Sequence, residues 1–297
     1  MQRKLPEALV TAETENRLFA VDLRTGRVID RIGLAADPEN VAASDGVAVV
    51  AGARSGTVTV LEPFPKLRKV IRGFGSPHIV ALSPDGEHAY VTDDARGTVS
   101  VIQLSDAKLV ASVTVGAGAH HLALSPDQRR LWIALGESAS TIVILDTSDV
   151  ARPRVIGRFH PGFLVHDLAF APDGRRIWIT SATGPDVAVI DARTRRLVFR
   201  VPVGRAPQHV VFAGPDAYIT SGYGDTIEKV LVSDGRVLKR SRSPHGSFEL
   251  DAGYGYVATS SLLAGTLAIY NPALRLLRVV HLAPAARDVA LSVRFGR

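Results

Sequence analysis

Cysteine is absent from the 297 residues, which excludes disulfides and thiolate chemistry alike. No Asn-x-Ser/Thr sequon occurs. No apolar run approaches the roughly 18 residues of a membrane-spanning helix. The opening Met1-Gln2-Arg3-Lys4-Leu5-Pro6 leads into a strand-like stretch with no secretory apolar segment, so a cytoplasmic location is the expectation. Gly-x-Ser-x-Gly, P-loop and His-Glu-x-x-His signatures are missing too, which removes the common hydrolase and NTPase mechanisms. Gly73-Phe74-Gly75 and Gly116-Ala117-Gly118 begin like a dinucleotide fingerprint, but each runs into a strand and lacks a third glycine. Aromatics make up only 6% of the chain and are not interleaved with its arginines, which argues against nucleic acid as a partner.

What is present is a repeat. Pro77 to Gln103 holds three β-rich runs, Ile79 to Leu82, Ala89 to Thr92 and Thr98 to Ile102. The first two are separated by Ser83-Pro84-Asp85-Gly86, in which proline presets φ and glycine accepts a positive one. A fourth run, Leu109 to Val115, completes four antiparallel strands, a to d, of one propeller blade. The start of strand a recurs as PENVAAS from Pro38, PHIVALS from Pro77, AHHLALS from Ala119 and VHDLAFA from Val165. It continues as QHVVFAG from Gln208, PHGSFEL from Pro244 and ARDVALS from Ala286. Seven copies predict an all-β, seven-bladed propeller over residues 1–297. After Arg287 there is room for one strand only, while the N-terminus offers three, at Ala8 to Thr11, Leu18 to Asp22 and Arg27 to Ile32. The last blade is therefore expected to combine N-terminal strands b, c and d with C-terminal strand a, pairing both exposed edges.

The pattern PHxxALSPDGxxAYVTDxxxGTVSVI at 77–102, echoed by HDLAFAPDGRRIWIT at 166–180, resembles the YVTN family of propeller repeats. The resemblance implies the same fold across the chain. Proteins similar to this family include secreted surface proteins, lactonase-like proteins and domains near redox enzymes. The related virginiamycin B lyase type is a metal-dependent lyase with a Trp-Phe-Thr-Glu strand end. The corresponding ends here are Tyr90-Val91-Thr92-Asp93 and Trp178-Ile179-Thr180-Ser181, so none of its catalytic residues transfers.

Net charge is +6. Arg24, Arg27, Arg129, Arg130, Arg175, Arg176, Arg193, Arg195, Arg196 and Arg236 fall in the a–b and c–d turns, which share the bottom face of a propeller. That face could dock on an anionic partner, or its arginines could simply be solvated hairpin tips.

The opposite face surrounds the mouth of the central channel. The second residue of each copy is Glu39, His78, His120, His166, His209, His245 or Arg287, so five of nine histidines share one repeat position. Imidazoles from separate blades, His78, His120, His166, His209 and His245, suit a divalent metal such as Zn, Fe, Cu, Ni or Mg, with Glu39 as ligand, partner or base. Metal-free acid–base catalysis by His120, His166 or His209 is the other chemical reading, and a purely structural role before each inner strand is the third. Arg287 could hold an anionic group of a small ligand. Strand alternation places His120 toward the channel and His121 in the packing.

The b–c loops add Glu13, Glu15, Arg54, Asp93, Asp94, Arg96, Glu137, Asp186, Tyr223 and Asp225 on the same face. Asp93, Arg96 and His245 are candidates for substrate contact, and Tyr223, between glycines, for proton donation or packing. Leu262 and Leu263 would form an apolar wall. Two readings follow: a lyase, isomerase or hydrolase acting on a small polar or anionic organic molecule at the channel mouth, or a non-catalytic ligand-binding or protein-interaction scaffold.

Overall fold

In the computed structural model, which describes residues 4–295, every regular element is a strand, and four strands at a time form seven separate antiparallel sheets. Residues 1–3 of the opening segment lie outside the described residues. Blade 1 runs from strand Pro38–Ser44 to Leu67–Arg72, blade 2 from Pro77–Leu82 to Lys108–Thr114, and blade 3 from Ala119–Leu124 to Arg154–Phe159. Blade 4 spans Val165–Phe170 to Leu197–Pro202, blade 5 Val210–Ala213 to Val237–Arg242, and blade 6 Leu250–Gly253 to Leu276–His281. Blade 7 closes the ring as expected: C-terminal Ala286–Phe295 pairs with N-terminal Lys4–Ala12, followed by Arg17–Asp22 and Val28–Gly33. The N-terminal strand Lys4–Ala12 runs further than the Ala8 to Thr11 expected from the sequence.

The turns obey the local chemistry that announced them. In Ser83-Pro84-Asp85-Gly86 the Asp85 carboxylate accepts from the Ser83 hydroxyl and from Glu87 N–H, and Gly86 sits at φ 74°. In the c–d turns an aspartate does the same work: Asp22 accepts from the backbone of Arg24 and Thr25, Asp191 from Arg193 and Thr194. Some bottom-face arginines are thereby engaged, Arg24 with Asp22 and Arg130 with Asp146.

The core lies between blades rather than within one. Trp132 packs edge-on against Phe159 of its own blade and Phe170 of the next, and Trp178 repeats this with Phe199 and Phe212. The few aromatics therefore stand where they cement neighbouring sheets. Strands b and c are almost wholly buried, whereas the d strands are largely exposed.

One interior charge makes a testable exception. Glu228, buried on strand Thr226–Leu231, accepts from Arg240 Nε at 2.6 Å, while its Oε2 has no partner. Burial outweighs the arginine and raises the carboxyl from 4.5 to about 7. The folded form thus retains a proton that the unfolded chain releases, so this contribution to stability is complete below pH 4.5 and is lost as pH rises through about 7. Glu228→Gln is expected to stabilise the fold relative to the parent at pH 8, by at most about 3 kcal/mol, but not at pH 4, and the difference is read as a higher melting temperature at pH 8 only. Parallel curves for the two proteins across that range would refute it.

Candidate functional site

Five of the seven inner strands begin with an irregularity that affects which side chains reach the channel. In blade 2, Pro77 pairs with Asp93 and Val80 with Val91, so His78 and Ile79 together oppose the single residue Thr92. In blade 3, His120 and His121 oppose Ala134, in blade 4 His166 and Asp167 oppose Thr180, and in blade 7 Arg287 and Asp288 oppose Thr11. Two residues against one is a β-bulge, and it suspends the alternation of faces. The expectation that His120 and His121 point apart is therefore corrected: both line the channel, with ring centroids 4.7 Å apart.

Superposing the blades by strand pairing gives two stacked rings. Val210 pairs with Ile219 and Leu250 with Thr259, as Val80 pairs with Val91. The upper ring is Glu39, His78, His120, His166, Gln208, Phe248 and Arg287, all lining one cavity of about 440 Å³. The lower ring is Asn40, Ile79, His121, Asp167, His209, Glu249 and Asp288, all lining a second cavity of about 330 Å³ beneath it. A relay of hydroxyls between blades marks the same register. Thr11 donates to the Glu39 carbonyl at 3.3 Å, Thr92 to His120 at 2.7 Å, Thr180 to Gln208 at 2.8 Å and Ser260 to Arg287 at 2.6 Å. Thr220 likewise donates to the Phe248 carbonyl.

Two assignments of the repeat position change accordingly. His209 lies one residue deeper than expected, with Gln208 in the upper ring. His245 precedes the ring position of blade 6 by three residues, and its side chain, 62% exposed, bonds Asp225 at 2.8 Å outside the channel lining. Matching copies by their Pro-His or Gln-His pairs caused both shifts, because the connection into each strand differs in length.

His78, His120, His121, His166 and His209 form one continuous cluster. His78 and His120 stack at 3.8 Å; His121 lies 4.7 Å from His166 and 5.1 Å from His209. Ligand atoms of His78, His120 and His121 lie within 4.8 Å of one another, as do those of His121, His166 and His209. The outer nitrogens are already committed: His78 Nδ1 to Glu39 at 2.7 Å, His120 Nδ1 to Asp94 at 3.0 Å, and His166 Nδ1 to the Glu137 carbonyl at 3.2 Å. His121 Nδ1 is buried without a partner. His209 differs, holding Asp167 at 3.2 Å through Nδ1 and Glu249 at 2.8 Å through Nε2.

Electrostatics separate His120, His121, His166 and His209 into two kinds. Burial lowers His120 to about 4, with help from His78 and against Asp94. Burial also holds His121 well below 6.5, reinforced by the imidazoles around it, and lowers His166. Burial would lower His209 as well, but the carboxylates of Glu249 and Asp167 overcome it and hold that ring protonated. Burial would raise Glu39, yet its bond to His78 and the nearby Arg287 keep it below its ordinary value. His120, His121 and His166 are therefore neutral imidazoles beside one fixed cation, His209.

The remaining expected residues fall as follows. Arg287 Nη1 donates to Glu13 at 2.7 Å, and Nη2 stands 3.8 Å from Glu39. Asp93 is buried and accepts from Gly75, Ser76 and Arg96 backbone N–H groups, holding a blade connection; Arg96 lies beside it, and neither lines the cavity. Tyr223 does line the cavity, 63% exposed. Sequence reasoning missed Asp167, Glu249 and Phe248, which the third- and second-position register would have revealed.

Fold and site together define a seven-bladed β-propeller with a histidine-lined channel mouth. No family model matches the chain, and no curated protein matches it. Among solved structures it is similar to a functionally unknown protein from Desulfotomaculum acetoxidans DSM 771, at 17% identity over 96% of this chain and 98% of that one, TM-score 0.84. Hydrazine synthase from Kuenenia stuttgartiensis is similar at 17% identity over 89% and 91%, TM-score 0.75. Apo AztD from Citrobacter koseri is similar at 9% identity over 99% and 100%, TM-score 0.77. At these identities the likeness is one of fold.

Proposed function

We propose that the channel mouth binds a divalent transition metal through His78, His120 and His121, and that the protein is a metal-dependent enzyme of lyase, isomerase or hydrolase type acting on a small polar organic molecule. The observation that carries this is that ligand atoms of these three imidazoles lie within 4.8 Å of one another, with two of the rings already tied back by carboxylates. Glu39 and Asp94 hold the Nδ1 atoms of His78 and His120, the carboxylate–histidine arrangement that fixes tautomer and ring plane in metal sites and leaves Nε2 as donor. Buried His121 contributes the unpartnered nitrogen. His209 is excluded as a ligand because both its nitrogens face carboxylates.

A nitrogen donor set favours Zn, Cu, Fe or Ni over Mg. The bound ion would supply Lewis acidity or an activated water. A cavity of about 440 Å³ is far larger than an ion needs, which favours an organic ligand beside the metal over a purely structural ring. Elemental mass spectrometry of tag-free protein exposed to Zn, Cu, Ni or Co salts and then desalted should find about one ion per chain. Protein that emerges free of all four metals would sink this reading and leave the non-catalytic scaffold in its place.

A further inference from the structure

The upper ring is polar in every blade but one. Where the other blades carry Glu39, His78, His120, His166, Gln208 and Arg287, blade 6 presents Phe248, and the loops beside it add Tyr223 and Leu262 to the same cavity. Backbone geometry creates this wall. A Cβ on Gly222 would lie 2.2 Å from Phe248 Cδ1, so the phenyl ring rests where only glycine leaves space. Tyr223, the next residue, meets Phe248 edge-on at 4.9 Å. Leu262 is anchored from its N–H to the Gly246 carbonyl at 3.0 Å. The cavity thus has an imidazole side and an aromatic side.

Charge narrows the ligand further. Four carboxylate residues, Glu39, Asp94, Glu137 and Glu249, line the cavity, and Arg287 is already engaged by Glu13 and Glu39. Among the described side chains that line it, Arg287 and the protonated His209 are both already held by carboxylates, so an anion would meet this rim without a free side-chain cation to receive it. We infer that the Phe248–Tyr223–Leu262 wall is a specificity subsite for an uncharged planar aromatic or heteroaromatic group, whose heteroatom faces the histidine cluster across the cavity. Identifying that ligand class rests on the proposed function of the mouth, but the aromatic contact itself does not require a metal.

The test is calorimetric titration of the full chain, cobalt-loaded and metal-free, with imidazole, 4-phenylimidazole and benzoate. In loaded wild-type protein 4-phenylimidazole should bind at least about tenfold more tightly than imidazole, the benefit of covering a phenyl group, and benzoate should bind more weakly than 4-phenylimidazole. Phe248→Ala should erase the phenyl advantage while leaving cobalt content unchanged. Tyr223→Ala, at an exposed position where folding is not at stake, should reduce it severalfold. Should the chain take up no cobalt, the function proposed for the mouth fails by itself, and the subsite is then judged on metal-free protein by whether 4-phenylimidazole still binds in preference to imidazole. Equal affinities for those two ligands in wild type, an unchanged advantage in both variants, or benzoate binding as tightly as 4-phenylimidazole would overturn the inference.

Discussion

The double substitution His120→Ala/His121→Ala is expected to abolish stoichiometric metal binding while leaving the propeller folded. Both rings come from one bulge, so the change removes two of three proposed ligands and leaves the pairing of Ala119–Leu124 with Arg130–Leu135 in place. Asp94 retains water as an alternative partner, because its side chain is 37% exposed. The partners behind the ligands should matter less but measurably: Glu39→Gln and Asp94→Asn are each expected to weaken metal affinity by about 10–100-fold. Competition titration against a chromogenic chelator, with circular dichroism as the fold check, reads all three proteins. Undiminished affinity in the double variant would place any metal elsewhere.

His209→Ala should instead produce the largest loss of stability of any single change in the channel. The ring is buried between Asp167 and Glu249, and its charge compensates both. Removing it leaves two carboxylates facing a cavity with no cation between them. Breaking a buried pair in this way costs about 3–5 kcal/mol, which in a chain of this size lowers the melting temperature by about 5–8 °C. His245→Ala is the control, since its pair with Asp225 is solvent-exposed and such pairs contribute at most about 1 kcal/mol. Differential scanning calorimetry at pH 7 separates the two. Similar small shifts in both variants would mean that His209 is not the charged keystone described here.

These two predictions differ because the structure divides histidines that the sequence grouped together. Read as a string, Gln208-His209 matched Pro77-His78 and Pro244-His245 matched them both. Strand pairing shows three different situations: His78 in the upper ring, His209 in the lower ring between carboxylates, and His245 outside the lining in a connecting segment. A dipeptide is insensitive to the length of the connection that follows it, whereas hydrogen-bond register is not.

The fold itself was legible residue by residue. Runs of β-branched residues, Ser-Pro-Asp-Gly turns and a recurring start of strand a act locally, through φ preferences and side chain–backbone bonds, so they predict blades without knowledge of any distant contact. The surplus of strands at one terminus and the deficit at the other even predicted how the ring closes. Most of the site was different in kind. The bulge that turns His120 and His121 to one side arises from pairing with the neighbouring strand. Glu249 approaches His209 only because consecutive blades curve around a common axis, and Phe248 becomes a wall only because Gly222 leaves room for it. Local backbone chemistry, written in the sequence, determined that there would be seven blades and a ring of polar residues at their inner edge. Tertiary structure alone decided which imidazoles meet, which one is held as a cation and which side of the cavity is aromatic, because those outcomes depend on register and closure between residues some forty positions apart.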